Sequence, residues 1–454
     1  MLTPQRWDDF GYSTLFDLEL LTTEGRQRVG LTKIINLKHP DTPVPNAFET
    51  LPPSFYSQLQ HVGAYEAIEA MPLITHLLNG LRDLAFIDPD ERAKAIADER
   101  TALTLLRFTT ARYALESRLG REPGPIQFVL THKVEGFLEA HEVELRFDAD
   151  SVLGRMVVLV GQNGAGKTRL LHGLHHPILG IRPELLDGSR RPSLCFKGAP
   201  PAFSTVIQMS FSAFDPFPLV RSPALRELTR YCGLRRLADR WGSRSAIDIE
   251  GSFDSLDRAV TELKGRGREM LWRRDLEAHG LKLSEGSFSA WLLERSAGQK
   301  FVGFVLTHLY ATIERGALLI FDEPEIHTHP TMLSRLMQQL HALLERFDAF
   351  AVLATHSPIV LQETPGRQVR VMQREGRYPL VAPYPGECFG EGLDEIVRTG
   401  LELGPRERNF EHHIMRLARE RGVKEIEHAL PGMGVPARLA LWSADPSGDQ
   451  GEDA

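Results

Sequence analysis

Cysteine is scarce: Cys195, Cys232 and Cys388 are all that 454 residues contain, and they are widely scattered. That spacing supplies neither a disulfide framework nor paired zinc ligands, so buried free thiols are the expected role. Long apolar runs are missing too. The longest, such as 317–321, are strand-sized and far too short to span a bilayer. No excess of positive charge exists, because the net charge is −7, so the chain as a whole is no electrostatic match for nucleic acid. The first residues, Met-Leu-Thr-Pro-Gln-Arg-Trp, hold no apolar signal segment, which makes the cytoplasm the expected compartment, without membrane contact. Sustained heptads are absent, which excludes a long coiled-coil arm. Apolar content of 42% and charged content of 25% are those of an ordinary globular protein, and the length suggests two or three domains.

Against these absences one motif stands complete. Residues 161–168 read Gly161, Gln162, Asn163, Gly164, Ala165, Gly166, Lys167, Thr168, which is the Walker A pattern. The apolar run 155–160 before it reads as a buried strand, and 169–174 after it reads as a helix opening. The glycines let backbone N–H groups turn inward toward phosphate oxygens, and the helix N-terminus adds a partial positive charge. Lys167 is expected to reach the β and γ phosphates of ATP, and Thr168 to ligate Mg²⁺.

The remaining pattern falls into three stretches. Residues 1–122 predict an α+β module: strands at 13–21 and 29–37 joined by a turn, a proline-rich loop at 41–55, and helical spacing over 64–82 and 90–118. Residues 126–400 alternate strands and helices around the glycine loop, with strands at 127–134, 143–147, 203–210, 317–321 and 349–354. This predicts a P-loop α/β sheet, with a mostly helical insertion over 220–295. Residues 401–454 predict helix over 405–430 and then an acidic, disordered tail.

Two acidic residues close the apolar run 317–321. Asp322 is placed to hold Mg²⁺ through water, and Glu323 to polarise an attacking water as general base. Upstream, Ser296, Ala297, Gly298 and Gln299 resemble the signature motif of ABC-type ATPases, where a helix start faces a γ-phosphate. The stretch from Gln299 to Asp322 suffices for one helix and a return to the acidic strand. Downstream, Ala354-Thr-His-Ser-Pro looks like the switch-histidine segment of that class, which would let His356 sense the γ-phosphate. The order of the four motifs matches throughout residues 126–400. Asp322-Glu-Pro-Glu-Ile-His-Thr-His-Pro, Thr355-His-Ser-Pro and Gln208-Met-Ser-Phe-Ser are similar to the OLD/RecF-like ATPases, a group serving DNA repair and bacterial anti-phage defence. Two features depart from the family: Ala297 replaces a common glycine, and Gln208 falls within a strand where a Q-loop glutamine is sought.

The resemblance implies an ATPase switch in which ATP on Lys167 and Thr168 of one copy is closed over by Ser296 of another. Two sites then form only in a homodimer or a higher even oligomer. No His-Asn-His finger, zinc ribbon or Toprim cluster follows the ATPase stretch, so a separate effector such as a nuclease is the expected partner. Seven arginines (Arg221, Arg226, Arg230, Arg235, Arg236, Arg240, Arg244) against two acids make a local basic patch, either a DNA contact or a solvated face. A RecF-like repair factor and a nucleotide-stabilised scaffold are the alternative functions. His327 and His329 form a His-x-His pair; a metal site would need further ligands, and the resemblance implies that both sit in a subunit-contact loop. His172, His175, His176, His412 and His413 are expected to be packing or solvated residues. Residues 7–12 are aromatic and acidic and suit domain packing.

Overall fold

The computed structural model describes every residue except 6–8, 10, 24, 70–73, 122–125, 135, 181–193, 199–200, 213–218, 221–227, 238–244, 248, 284–285, 402–408 and 444–454. Contacts divide the chain into two units, Met1–Leu401 and Glu402–Ala454.

The first unit begins with four antiparallel strands in sequential order, β1 (Leu2–Pro4), β2 (Leu15–Thr22), β3 (Gly25–Asn36) and β4 (Phe55–Leu59). The proline-rich stretch forms the connection before β4, a strand the sequence pattern does not announce. Five helices follow: α1 (Val62–Glu69), α2 (Ile74–Gly80), α3 (Pro89–Ala97), α4 (Glu99–Leu103) and α5 (Thr109–Arg118). Asp88 and Asp98 cap α3 and α4 through their side chains, satisfying N–H groups that a helix start leaves open. Lys33, with 0% of its side chain exposed, is paired with Asp9 at 2.8 Å and donates to the Thr104 carbonyl at 3.0 Å. Arg107 also reaches Asp9, at 3.2 Å. A buried cation costs far less when held this way; of the 7–12 segment, residues 7, 8 and 10 lie outside the described residues.

The next elements are β5 (Ile126–His132), β6 (His141–Phe147), β7 (Met156–Gly161), α6 (Lys167–Leu179), β8 (Leu194–Lys197), β9 (Val206–Ser210), β10 (Thr229–Gly233), β11 (Arg235–Leu237) and β12 (Ser245–Ile247). Then come α7 (Ile249–Gly265), α8 (Glu269–Ala278), α9 (Phe288–Leu293), α10 (Ala297–Thr312), β13 (Leu318–Asp322), α11 (Pro330–Arg346) and β14 (Phe350–Thr355). The unit ends with α12 (Pro358–Gln362), β15 (Val369–Glu375), β16 (Tyr378–Pro383) and α13 (Leu393–Ile396).

Seven strands make the main sheet, in the order β10-β9-β13-β14-β7-β15-β16, parallel except for the β15–β16 hairpin. Strand β7 is buried at all six positions, as parallel strands covered on both faces are. Its residues alternate between two cores: Met156, Val158 and Val160 pack with α7–α11, while Val157 and Leu159 pack with α6 and with the β6-β5-β8 sheet. Strand β13 alternates likewise, with Leu319 and Phe321 on the first face and Leu318 and Ile320 on the second. Period-two alternation therefore puts Asp322 on the α6 side. The second core also takes in Leu15, Leu31, Phe108 and Ala111 from the first stretch of the chain, beside Leu170, Leu174 and Ile178 of α6.

The stretch 220–295 departs from its mostly helical expectation. Among the described residues of this stretch the first helix begins at Ile249, and β10 extends the main sheet while β11 and β12 pair with each other. Arginines space this region and hide the alternation that a strand normally shows, and β10 is an edge strand, where polar residues are tolerated.

The second unit holds α14 (Asn409–Arg421), α15 (Val423–Ala429) and α16 (Val435–Ser443), packed about Ile414, Ala418, Ile426, Ala440 and Leu441. The acidic tail lies outside the described residues. Among the described residues no helix is long and apolar enough to cross a membrane.

Candidate nucleotide site

Strand β7 ends at Gly161, whose φ of +145° belongs to glycine; a Cβ there would lie 1.8 Å from the Met372 carbonyl oxygen. Gly164 and Gly166 are also left-handed, at +77° and +95°. The loop therefore bends as its glycines allow and delivers the chain into α6. Lys167, 5% exposed, folds its ammonium back onto the carbonyls of Gly161 (2.9 Å) and Gln162 (3.1 Å). Burial lowers its pKa to about 8, against the opposing pull of Glu323, Asp322 and Glu325.

Thr168 donates its hydroxyl to Asp322 Oδ1 at 3.3 Å, bringing the two expected cation ligands together at the C-terminal end of β13. His172 Nε2 lies 3.4 Å from the other oxygen of Asp322. Glu323 follows in a left-handed backbone at φ +50°, with its N–H held by the Ala354 carbonyl at 2.8 Å. Its carboxyl is pushed up, first by burial and then by Asp322 and Glu325. A base raised in this way holds a proton more readily, which is what water activation asks of it. His356 is lowered to about 4 by burial and by Lys167, so its ring is neutral at physiological pH.

A cleft of about 440 Å³ opens here, lined by Asn163, Gly164, Gly166, Lys167, Thr168 and Arg169, by Glu323 and His356, and by Val134, Gly136, Phe137 and Arg374. The donor set fits a magnesium-bound triphosphate: left-handed glycines, a helix start, a buried ammonium and a hydroxyl–carboxylate pair. Among the described residues no cluster of three or more His, Cys, Asp or Glu suits a separate metal.

Sequence reasoning missed three supports. Glu325, two residues past Glu323, accepts from Thr355 Oγ1 at 2.9 Å and from the His356 N–H at 2.7 Å. His141, at the start of β6, is 2.8 Å through Nε2 from the Ala165 carbonyl inside the loop. His132, its register partner on β5, sits under α6, where a Cβ on Gly173 would come 3.1 Å from its ring. Burial is the main cause lowering His132 to about 4, and it lowers His141 as well. Only Glu325 lay in a stretch with a visible motif.

Ser296 stands apart from the cleft. It caps α10 with a reciprocal Gln299 contact, the Ser296 hydroxyl accepting from the Gln299 N–H at 3.4 Å and the Gln299 amide oxygen accepting from the Ser296 N–H at 3.3 Å. Ser296 is exposed, and neither it nor Gly298 nor Gln299 lines the cleft. Gly298 lets the helix start approach the loop after β13, since a Cβ would meet Met332 Sδ at 3.2 Å and the His327 carbonyl at 3.3 Å. His329 caps α11, accepting from the Thr331 N–H at 3.4 Å. His175 pairs with Thr229 Oγ1 at 2.9 Å, and Gln208 is buried within β9 rather than in a loop. Of the arginine patch, Arg221, Arg226, Arg240 and Arg244 lie outside the described residues.

A parallel sheet covered on both faces, a glycine loop at the end of β7 and an acidic strand end beside it define a P-loop α/β fold. The family described as "AAA domain, putative AbiEii toxin, Type IV TA system" matches residues 243–362, a span holding Ser296, Asp322, Glu323 and His356 but not the glycine loop. Protein ea59 of Escherichia phage lambda is 25% identical over 461 residues, covering 90% of this chain and 87% of that protein. Among solved structures, a nucleotide-free ATP-binding cassette from an ABC transporter is 13% identical with a TM-score of 0.32, covering 61% of this chain and 94% of that one. The SMC head domain from Thermotoga maritima is 12% identical with a TM-score of 0.30, covering 57% of this chain and 98% of that one.

Proposed function

We propose that this chain is a magnesium-dependent ATPase that works as a switch, closing two copies around ATP and releasing them on hydrolysis. The observation that carries the reading is the convergence of Lys167, Thr168, Asp322, Glu323 and His356 from three separate motifs onto one glycine loop. Bound Mg²⁺ would neutralise phosphate charge between Thr168 and Asp322. Lys167 leaves the carbonyls of Gly161 and Gln162 to pair with phosphate oxygens. Glu323 accepts the proton of the attacking water, and neutral His356 donates to the γ-phosphate.

The exposed, capped start of α10 supports completion by a second copy. Ser296 and the open N–H groups of that helix suit an anion, yet the cleft in the same chain does not include them. A homodimer places that helix start over the partner's nucleotide.

The biological setting we favour is a bacterial anti-phage system whose damage comes from a separate effector such as a nuclease. Support comes from the toxin-system description of the matching family. The closing test uses Glu323→Gln. It is expected to hold ATP without turnover and to run as a dimer by light scattering with ATP and Mg²⁺. A variant that binds ATP and stays monomeric at micromolar concentration overturns the two-copy switch.

A further inference from the structure

The outer wall of the cleft comes from the end of the sheet that carries no known motif. Strand β15 pairs with β7 and then turns back at Gly376 into β16. That turn is clipped to the segment before the glycine loop at two points. The Leu138 N–H donates to the Arg377 carbonyl at 2.8 Å, and Arg377 Nε donates to the Gly136 carbonyl at 3.2 Å. The clip fixes Gly136 and Phe137 as one side of the cleft and Arg374 as its overhang.

Arg374 holds its place by one hydrogen bond, Nε to the Gly376 carbonyl, and by lying over the Phe137 ring at 5.6 Å. Its terminal nitrogen Nη1 is 3.7 Å from where a Cβ on Gly164 would sit, directly above the loop. The Phe137 ring is itself fixed edge-on to His141 at 4.6 Å, and His141 grips the loop at Ala165. Among the described residues no carboxylate lies within ion-pair reach of Arg374, whose partners are the Gly376 carbonyl and the Phe137 ring. A guanidinium held over a phosphate-type loop, with its fork directed to no acid, is matched to an oxyanion.

We infer that Arg374 is a phosphate contact for the nucleoside di- or triphosphate, supplied in cis by the β15–β16 hairpin and oriented by Phe137. This rests on the reading of the glycine loop as a nucleotide site. Because the overhang sits above Gly164, it serves binding of both ATP and ADP.

The test is titration calorimetry of the full chain with ATP·Mg²⁺, ADP and AMP, alongside steady-state ATPase rates. Arg374→Ala is expected to weaken ATP and ADP by about tenfold or more, the usual size of a charge-assisted contact. AMP affinity should change far less, and the steady-state KM for ATP should rise by a similar factor. Arg374→Lys should recover part of the loss, because it keeps the charge without the fork. Arg374 is exposed, so both variants should fold, and circular dichroism checks this. Wild-type affinity for ATP in Arg374→Ala overturns the arginine's role while leaving the loop's reading intact. A wild-type chain that binds no nucleotide overturns both.

Discussion

The carboxylate of Glu325 accepts the backbone N–H of His356 at 2.7 Å, tying the turn after β13 to the end of β14. Its second bond, from Thr355 Oγ1 at 2.9 Å, holds the neighbouring residue. The residue proposed to sense the γ-phosphate is thereby positioned by a third acid of the Asp322–Glu323 turn. Burial, the largest influence, raises the Glu325 carboxyl, and the His356 and Thr355 bonds oppose that rise.

Replacing Glu325 with alanine should therefore lower kcat by about a hundredfold, the scale of a misplaced catalytic group, while ATP affinity stays near wild type. Glu325→Gln keeps an oxygen for both donors and should regain most of the rate. Equal losses for alanine and glutamine in a steady-state assay would show that the charge matters and the hydrogen bonds do not.

Gly161→Ala should destabilise the whole unit by roughly 3 kcal/mol, combining left-handed strain with an overpacked contact. The new methyl meets the Met372 carbonyl at 1.8 Å, so β7 and β15 must part. Urea unfolding monitored by fluorescence measures it. A change below about 1 kcal/mol would contradict the close approach of these strands.

The histidine beneath α6 should leave a mark on acid stability. His132 titrates at about 4 in the folded protein, against an ordinary value of 6.5, with burial the main cause. Between those values the unfolded chain binds the extra proton and the folded one does not. Stability from this group is therefore complete above pH 6.5 and declines as pH falls toward 4. His132→Gln should flatten the melting temperature against pH across that window. Parallel curves for variant and wild type would remove His132 from the account.

Ser296 has two separable duties. As the cap of α10, its loss in Ser296→Ala should cost about 1 kcal/mol. As a residue outside the cleft of its own chain, it should leave ATP binding to the monomer unchanged in calorimetry. Turnover should nonetheless fall at least tenfold, because the closed pair cannot form fully. Undiminished turnover would mean that α10 plays no part in hydrolysis.

The parts of the site carried by short local patterns were legible from sequence. The glycine loop, the acidic strand end and the serine-capped helix each pack their chemistry into fewer than ten neighbouring residues, and each occurs where the pattern puts it. His132, His141, Phe137 and Arg374 were not legible. They come from β5, β6, the segment between β6 and β5, and β15, and reach the loop or the helix that follows it through sheet pairing that no local period encodes. The β15–β16 hairpin escaped notice because Arg370, Gln373 and Arg374 interrupt its apolar residues. Strand β10 escaped because an edge strand can afford Arg230 and Tyr231.

Leu15, Leu31, Phe108 and Ala111 share one oily floor with Leu170, Leu174 and Ile178 of the helix that begins at Lys167. Arg107 adds a bolt at the far end, its Nε donating to the Gly180 carbonyl at 2.8 Å. Anyone trimming the chain to its ATPase stretch will therefore strip the underside of that helix. A fragment starting near residue 126 would meet water with a bare greasy surface, and would clump before it could be assayed.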